Sequence, residues 1–223
     1  AREKELALDD LYLDIGASDE KQAGELVQVG DTAVFDAPVT ARGDRIISPF
    51  LDNRISCAVL LLAMEQLSAC ENDLYFVFTA QEELGLRGAR TAAWSIDPEW
   101  GIAVDVTGTD DVPGARHSAS CALGGGAGIK VMDASVIAHP RVVERLTRLA
   151  GEKDIPVQRD VMRAGGTDAG AIHVSRGGVP AGGISVPCRY IHTPVEMVDR
   201  RDVQACVDLI CAFAQARMAE PQE

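Results

Sequence analysis

Two adjacent carboxylates, Glu82 and Glu83, close the apolar run Phe76-Val77-Phe78-Thr79-Ala80-Gln81, and a turn bearing Gly85 and Gly88 follows. Neighbouring residues on an extended segment point to opposite faces, so the pair can divide its labour. One carboxylate can hold a metal ion while the other handles a proton. Ligands of open α/β sheets bind beyond the carboxyl ends of strands, and this pair stands at such a place. A lone Glu-Glu pair is more often a polar strand end facing water. Three further positions shift that balance. Asp52 precedes an apolar helical pattern, Asp105 nearly ends another β-prone run, and His192 sits in the loop Arg189-Tyr190-Ile191-His192-Thr193-Pro194 just past a third.

Each of these three also has a plainer role: helix N-cap for Asp52, strand-end residue for Asp105, hydrogen-bonded turn residue for His192. If the strands run parallel, their carboxyl ends share one edge and the side chains converge. Two carboxylates about 4 Å apart repel by about 4 kcal/mol at an effective dielectric of about 20. Three or four together hold either protons or a cation. Oxygen ligands with one imidazole suit divalent zinc, manganese or cobalt better than calcium. His117, His139 and His173 lack comparable surroundings and read as structural or surface residues.

The elements that position these groups alternate along the chain. Up to about residue 48 the sequence is β-leaning and broken by turns. Leu11–Gly16 and Thr32–Phe35 are strand candidates, and Ser18 opens a short acidic helix. That segment is too short to bury a core of its own. From residue 49 the pattern predicts a helix from Ile55 to about Leu67, a strand Leu74–Thr79, a helix from Arg87 to Trp94 and a strand Gly101–Val106. A glycine cluster, Gly124–Gly126, precedes a helix from Pro140 to Ala150 closed by Gly151. A strand over Val157–Val161, a short strand Gly182–Val186 and a last helix from Arg201 to about Met218 complete the series. The expected fold is α/β, a mostly parallel sheet with helices on both faces.

The 223 residues suit one sizeable domain or one domain plus a fragment of another. A net charge of −13 with no Lys/Arg run argues against nucleic acid as a partner. No apolar stretch approaches the ~20 residues needed to span a bilayer. The six cysteines form no C-x-x-C pair, and Cys57, Cys206 and Cys211 fall in apolar helical patterns. Buried free thiols in a reducing cytoplasm are expected rather than a disulfide framework.

The strings Leu51-Asp52-Asn53-Arg54, Gln81 to Ala89, Asp105-Val106-Thr107, Gly166-Thr167-Asp168-Ala169-Gly170 and Arg189 to Pro194 occur in this order. Together they resemble the glutamyl or tetrahedral aminopeptidase family of dinuclear metallopeptidases. The resemblance implies a zinc-peptidase-like catalytic domain over residues 49–223. It makes residues 1–48 the remnant of an inserted β domain of the kind that pairs subunits. Asp52 would bridge two divalent ions, zinc or cobalt with manganese as an alternative. Glu83 and His192 would complete the protein ligands of one, and Asp105 would bind the other. Glu82 would be the general base for a metal-bridging hydroxide that attacks short peptides at a free amino terminus. Gly124–Gly126 and the Gly166, Thr167, Asp168 turn would bring backbone close to substrate, although plain turns would look the same. A cytoplasmic homo-oligomer is implied for the full-length parent.

The family pattern also requires an upstream His-x-Asp motif for the second ion, and none precedes His117. The second ion then has only Asp52 and Asp105, so this chain alone is expected to hold one metal and to be weak or inactive. A non-catalytic family member and a related metallo-deacylase are the competing expectations. Some family members carry the label cellulase. Adjacent glutamates facing opposite ways cannot flank one glycosidic bond, which excludes that chemistry.

Overall fold

The computed structural model describes residues 7–68, 70–115 and 119–217. The chain divides into two compact units, Ala1–Asp36 and Ala37–Glu223. In the first, α1 (Glu20–Leu26) starts from Asp19, whose carboxylate accepts the Gln22 N–H at 2.8 Å. The strands expected over Leu11–Gly16 and Thr32–Phe35 are absent there. A strand needs a ladder partner, and a short isolated pair is at best marginal in water.

The second unit holds a seven-stranded sheet. Its strands are β1 (Thr40–Arg42), β2 (Arg45–Ser48), β3 (Gly101–Gly108), β4 (Ala127–Met132), β5 (Val157–Val161), β6 (Ala181–Arg189) and β7 (Glu196–Asp199). The order is β1-β2-β7-β6-β4-β5, with β3 paired to β6. The sheet is mixed. β3–β6 and β4–β5 run parallel, whereas β4–β6, β6–β7, β7–β2 and β2–β1 run antiparallel. The mostly parallel expectation missed this because β1, β2 and β7 are too short to show a period. Thr40–Ser48 joins this sheet through the β2–β7 pairing.

Alternation along β3 sorts its two faces. Ile102, Val104 and Val106 join the main core with α2 (Leu51–Gln66), α4 (Pro140–Glu152) and α6 (Arg200–Gln215). Ala103 packs instead with Ala169 of α5 (Ala169–Ile172), next to which lies α3 (Arg87–Ile96). Helices therefore cover both faces. Asp105 and Thr107 share the face of Ala103, on the α5 side. The helix expected to stop before Gly151 runs through it to Glu152, while Met218 lies outside the described residues.

The expected strand Leu74–Thr79 forms no ladder among the described residues. Phe76 packs on the main core, but Tyr75 and Phe78 remain 67% and 48% exposed and Val77 38%. The composition is apolar and β-prone, but no strand pairs with it among the described residues. Cys57 is exposed, contrary to the expected burial, because it sits on the outer side of α2; Cys121, Cys188 and Cys206 are buried free thiols.

Candidate metal centre

The start of α2 is bent into an unusual shape. Phe50 lies in the left-handed region (φ 63°), and Asp52 (φ −80°, ψ 104°) and Asn53 depart from helical geometry before the helix settles. The N-cap position falls on Phe50, which makes no side-chain cap bond, so Asp52 does not stand at the cap. The Asn53 side-chain amide donates to the Val104 carbonyl at 3.1 Å, tying this bend to β3 one residue before Asp105. The Asp52 carboxylate meets His192 instead. His192 Nε2 lies 3.0 Å from Asp52 Oδ2 and 3.5 Å from Glu83 Oε1. His192 itself sits at φ 62°, between Tyr190 at φ 58° and β7. Such backbone costs about 1–3 kcal/mol per residue and persists where the surroundings over-determine it.

Glu82 and Glu83 occupy the turn that leads into α3. The Glu82 carbonyl accepts the N–H groups of Gly85 and Leu86 at 2.9 and 2.8 Å, and Gly88 N–H donates to the Ala80 carbonyl at 3.0 Å. A Cβ on Gly88 would come within 2.6 Å of the Ala80 backbone, so only glycine closes this turn.

Asp52, Glu83 and His192 each offer one ligand atom, all within 4.8 Å of one another. Asp105 stands outside that trio, 9% exposed, with Oδ1 accepting the Val106 N–H at 2.8 Å. Electrostatics join it to the group. Burial pushes the Asp105 carboxyl well above its usual range, and the charges of Asp52 and Glu82 add to the rise. Burial also lifts Asp52 to about 6, with Glu83 and Glu196 adding to the rise and His192 opposing it. Glu82 reaches about 7, through burial first and then Asp168, Glu83 and Asp52. Acids crowded in this way hold protons until a cation displaces them. Carboxylate oxygens with one imidazole match a divalent first-row ion, so the residues present fit a metal.

Thr167 turns away from this cluster, its hydroxyl donating to Asp133 Oδ2 at 3.0 Å, and Gly166 packs on Ser135. Asp168 faces the cluster more closely: Oδ2 accepts the Thr79 hydroxyl at 2.6 Å, and its charge acts on Glu82. The Gly124–Gly126 turn is held by Asp202, whose two oxygens accept the N–H groups of Gly124 and Gly126 at 2.7 and 2.8 Å. His139 accepts the Arg141 N–H at the start of α4, and His173 Nδ1 lies 3.1 Å from the Ala169 carbonyl. His117 lies outside the described residues.

A sequence model of the M42 glutamyl aminopeptidases matches residues 1–209. The chain belongs to that family. A relative from Acetivibrio thermocellus is 47% identical over 207 residues, which are 93% of this chain and 62% of the relative. The solved aminopeptidase of the archaeon Desulfurococcus kamchatkensis superposes with a TM-score of 0.92 at 44% identity, over 95% of this chain and 61% of the other. The Pyrococcus horikoshii TET1 peptidase, described as assembling into a tetrahedron or a large octahedral shell, superposes with a TM-score of 0.78 at 32% identity, over 90% of this chain and 59% of the other. This M42 chain thus spans about 60% of the length of these relatives.

Two features of the M42 chain escape sequence reasoning. Glu196, 2% exposed, accepts the Asp52 N–H through Oε2 and the His192 N–H through Oε1, each at 2.9 Å. Behind Asp105 lies a buried polar layer: Lys130 pairs with Asp160, whose other oxygen accepts the Thr107 hydroxyl at 3.0 Å. Alternation along β4 sets Ala127, Ile129 and Val131 on one face and makes Lys130 look like a solvent-facing residue, so its burial is not legible in the sequence.

Proposed function

We propose that the complete protein is a metal-dependent aminopeptidase that releases amino-terminal residues from short peptides. The observation that carries this reading is the Asp52, Glu83 and His192 cluster beside Glu82, a carboxyl raised to about 7. Asp52, Glu83 and His192 would hold one divalent ion, and Asp52 with Asp105 a second. Zinc or cobalt fits the donors best, with manganese as the alternative. Bound there, the ions would polarise the scissile carbonyl and acidify water.

Glu82 supplies the base. Its carboxylate, beside the ligand cluster, would accept a proton from the attacking water and return it to the leaving amine. Adjacent Glu83 is committed to the ligand cluster, so the two glutamates divide the tasks. The Gly166, Thr167, Asp168 turn would bring backbone close to substrate, with Asp168 also shaping the field at Glu82. Residues 49–223 carry this apparatus, and residues 1–48 hold the remnant of the inserted β domain with its junction to the sheet. A cytoplasmic homo-oligomer acting on peptides is the expected setting, with neither nucleic acid nor membrane as partner.

A second reading is a family member without a working metal pair. Within this chain, which spans about 60% of its relatives' length, Asp52 and Asp105 are the candidate ligands of the second ion. Elemental mass spectrometry on chelator-free protein separates the two: two ions per chain support full catalysis, and one or none supports the degenerate reading. Hydrolysis of aminoacyl-p-nitroanilides that stops on acetylation of the substrate amine identifies an aminopeptidase. Hydrolysis that survives acetylation identifies a deacylase.

A further inference from the structure

We infer that Glu196 is a positioning residue that fixes Asp52 and His192 at ligand distance by accepting one backbone N–H from each. The inference rests on the metal-site reading and deepens it. Asp52 lies at the start of α2 and His192 in the loop between β6 and β7, so no local structure holds them together. Glu196, the first residue of β7, is anchored on both sides of this gap, because β7 pairs with β2 and with the end of β6. Its two oxygens divide the work: Oε2 takes Asp52 N–H and Oε1 takes His192 N–H, each at 2.9 Å.

The geometry calls for a carboxylate. Two N–H donors converge on one side chain, and an ionised carboxylate is acceptor-only on both arms. A glutamine would present one amide arm that donates, leaving one backbone N–H facing another donor. At 2% exposure no bulk water replaces the lost acceptor. Of the two backbones that Glu196 holds, His192 lies in the left-handed region at φ 62°, and Asp52 is extended (φ −80°, ψ 104°) just before the helix settles. Charge-assisted bonds to the backbone are roughly twice as strong as neutral ones, which suits a clamp on conformations the chain would otherwise leave. A buried carboxylate next to Asp52 also adds negative charge that a divalent ion would offset.

The test uses the full chain with Glu196→Gln, which keeps the volume, and Glu196→Ala. Amide signals of Asp52 and His192 are recorded without metal, and cobalt(II) is titrated with its visible absorption followed. In wild type both amide protons should lie downfield. Glu196→Gln should move at least one of them upfield, and Glu196→Ala should move both. Cobalt affinity should fall about 10- to 100-fold in Glu196→Gln with an altered absorption band, as for other residues that orient metal ligands. Unshifted amides, or cobalt affinity within about twofold of wild type, would overturn the inference. Should wild type bind no cobalt, the metal reading fails, and the amide shifts still decide whether Glu196 sets the two backbones. Should Glu196→Ala not fold, Glu196→Gln carries both measurements.

Discussion

Lys130 and Asp160 meet at 2.5 Å with side chains 0% and 1% exposed, so an intact ion pair lies inside the sheet behind Asp105. Asp160 reaches Thr107 from β5 by passing over Gly128, where an added Cβ would lie 3.3 Å from Asp160 Cβ. Breaking a buried pair by removing one partner leaves an uncompensated charge and costs about 3–5 kcal/mol. Lys130→Met should therefore destabilise the chain by about that amount in urea denaturation, whereas Lys130→Met with Asp160→Leu should cost clearly less. A loss in the double variant equal to the sum of the losses in Lys130→Met and Asp160→Leu would show that the pair is not coupled.

Glu82→Gln, made in the complete enzyme, should lower turnover by about 100-fold or more while leaving bound metal unchanged. The glutamine keeps the size of the side chain but cannot accept the proton. Turnover within tenfold of wild type would remove Glu82 as the base; loss of metal together with activity would move it into the ligand set.

The metal-free chain should lose stability as pH rises. Folded-state values of about 6 for Asp52 and about 7 for Glu82 lie above their ordinary 3.8 and 4.5. The folded chain then binds more protons than the unfolded chain between about pH 4 and pH 7, and stability declines through that window. Asp111 and Asp199 are held low by Arg189 and Arg201, and their contribution is lost only toward lower pH. In EDTA, Tm should be higher at pH 5 than at pH 8, and divalent metal should restore it at pH 8. A Tm that climbs with pH in EDTA would contradict the crowded-acid account.

Gly126→Ala tests the turn before β4. Gly126 has φ 96°, and an added Cβ would fall 2.0 Å from the Pro156 carbonyl oxygen. Neither backbone can yield cheaply, since Gly126 N–H is also held by Asp202 at 2.8 Å. Strain and overpacking together should cost about 3 kcal/mol or more. A thermal melt close to wild type would mean that the turn can open without disturbing β4 and β5.

Much of residues 49–223 is legible in the sequence, and the reason is local. Glu82-Glu83 follows an apolar run, and the helices at Pro140 and Arg201 announce themselves through apolar spacing. Asp52 and His192 are marked only by motif, because the pairing of β2, β7 and β6 that brings them to 3.0 Å is a long-range fact. Glu196 is invisible for the same reason: four residues beyond His192, it looks like a solvated carboxylate, and its burial depends on strands far away in the chain. The segment Leu74–Thr79 errs in the other direction. Its composition is that of a strand, yet a ladder depends on a neighbour, which composition does not report.

That segment has a colloidal consequence. Apolar side chains at Leu74, Tyr75, Val77 and Phe78 are open to solvent beside backbone that no strand engages among the described residues, the kind of surface on which a second extended chain can dock. The net charge of −13 opposes such encounters by mutual repulsion. Repulsion reaches only about 10 Å at 0.1 M salt and about 3 Å at 1 M. Concentrated salt should therefore turn dispersed chains into reversible clusters, which light scattering against ionic strength would register.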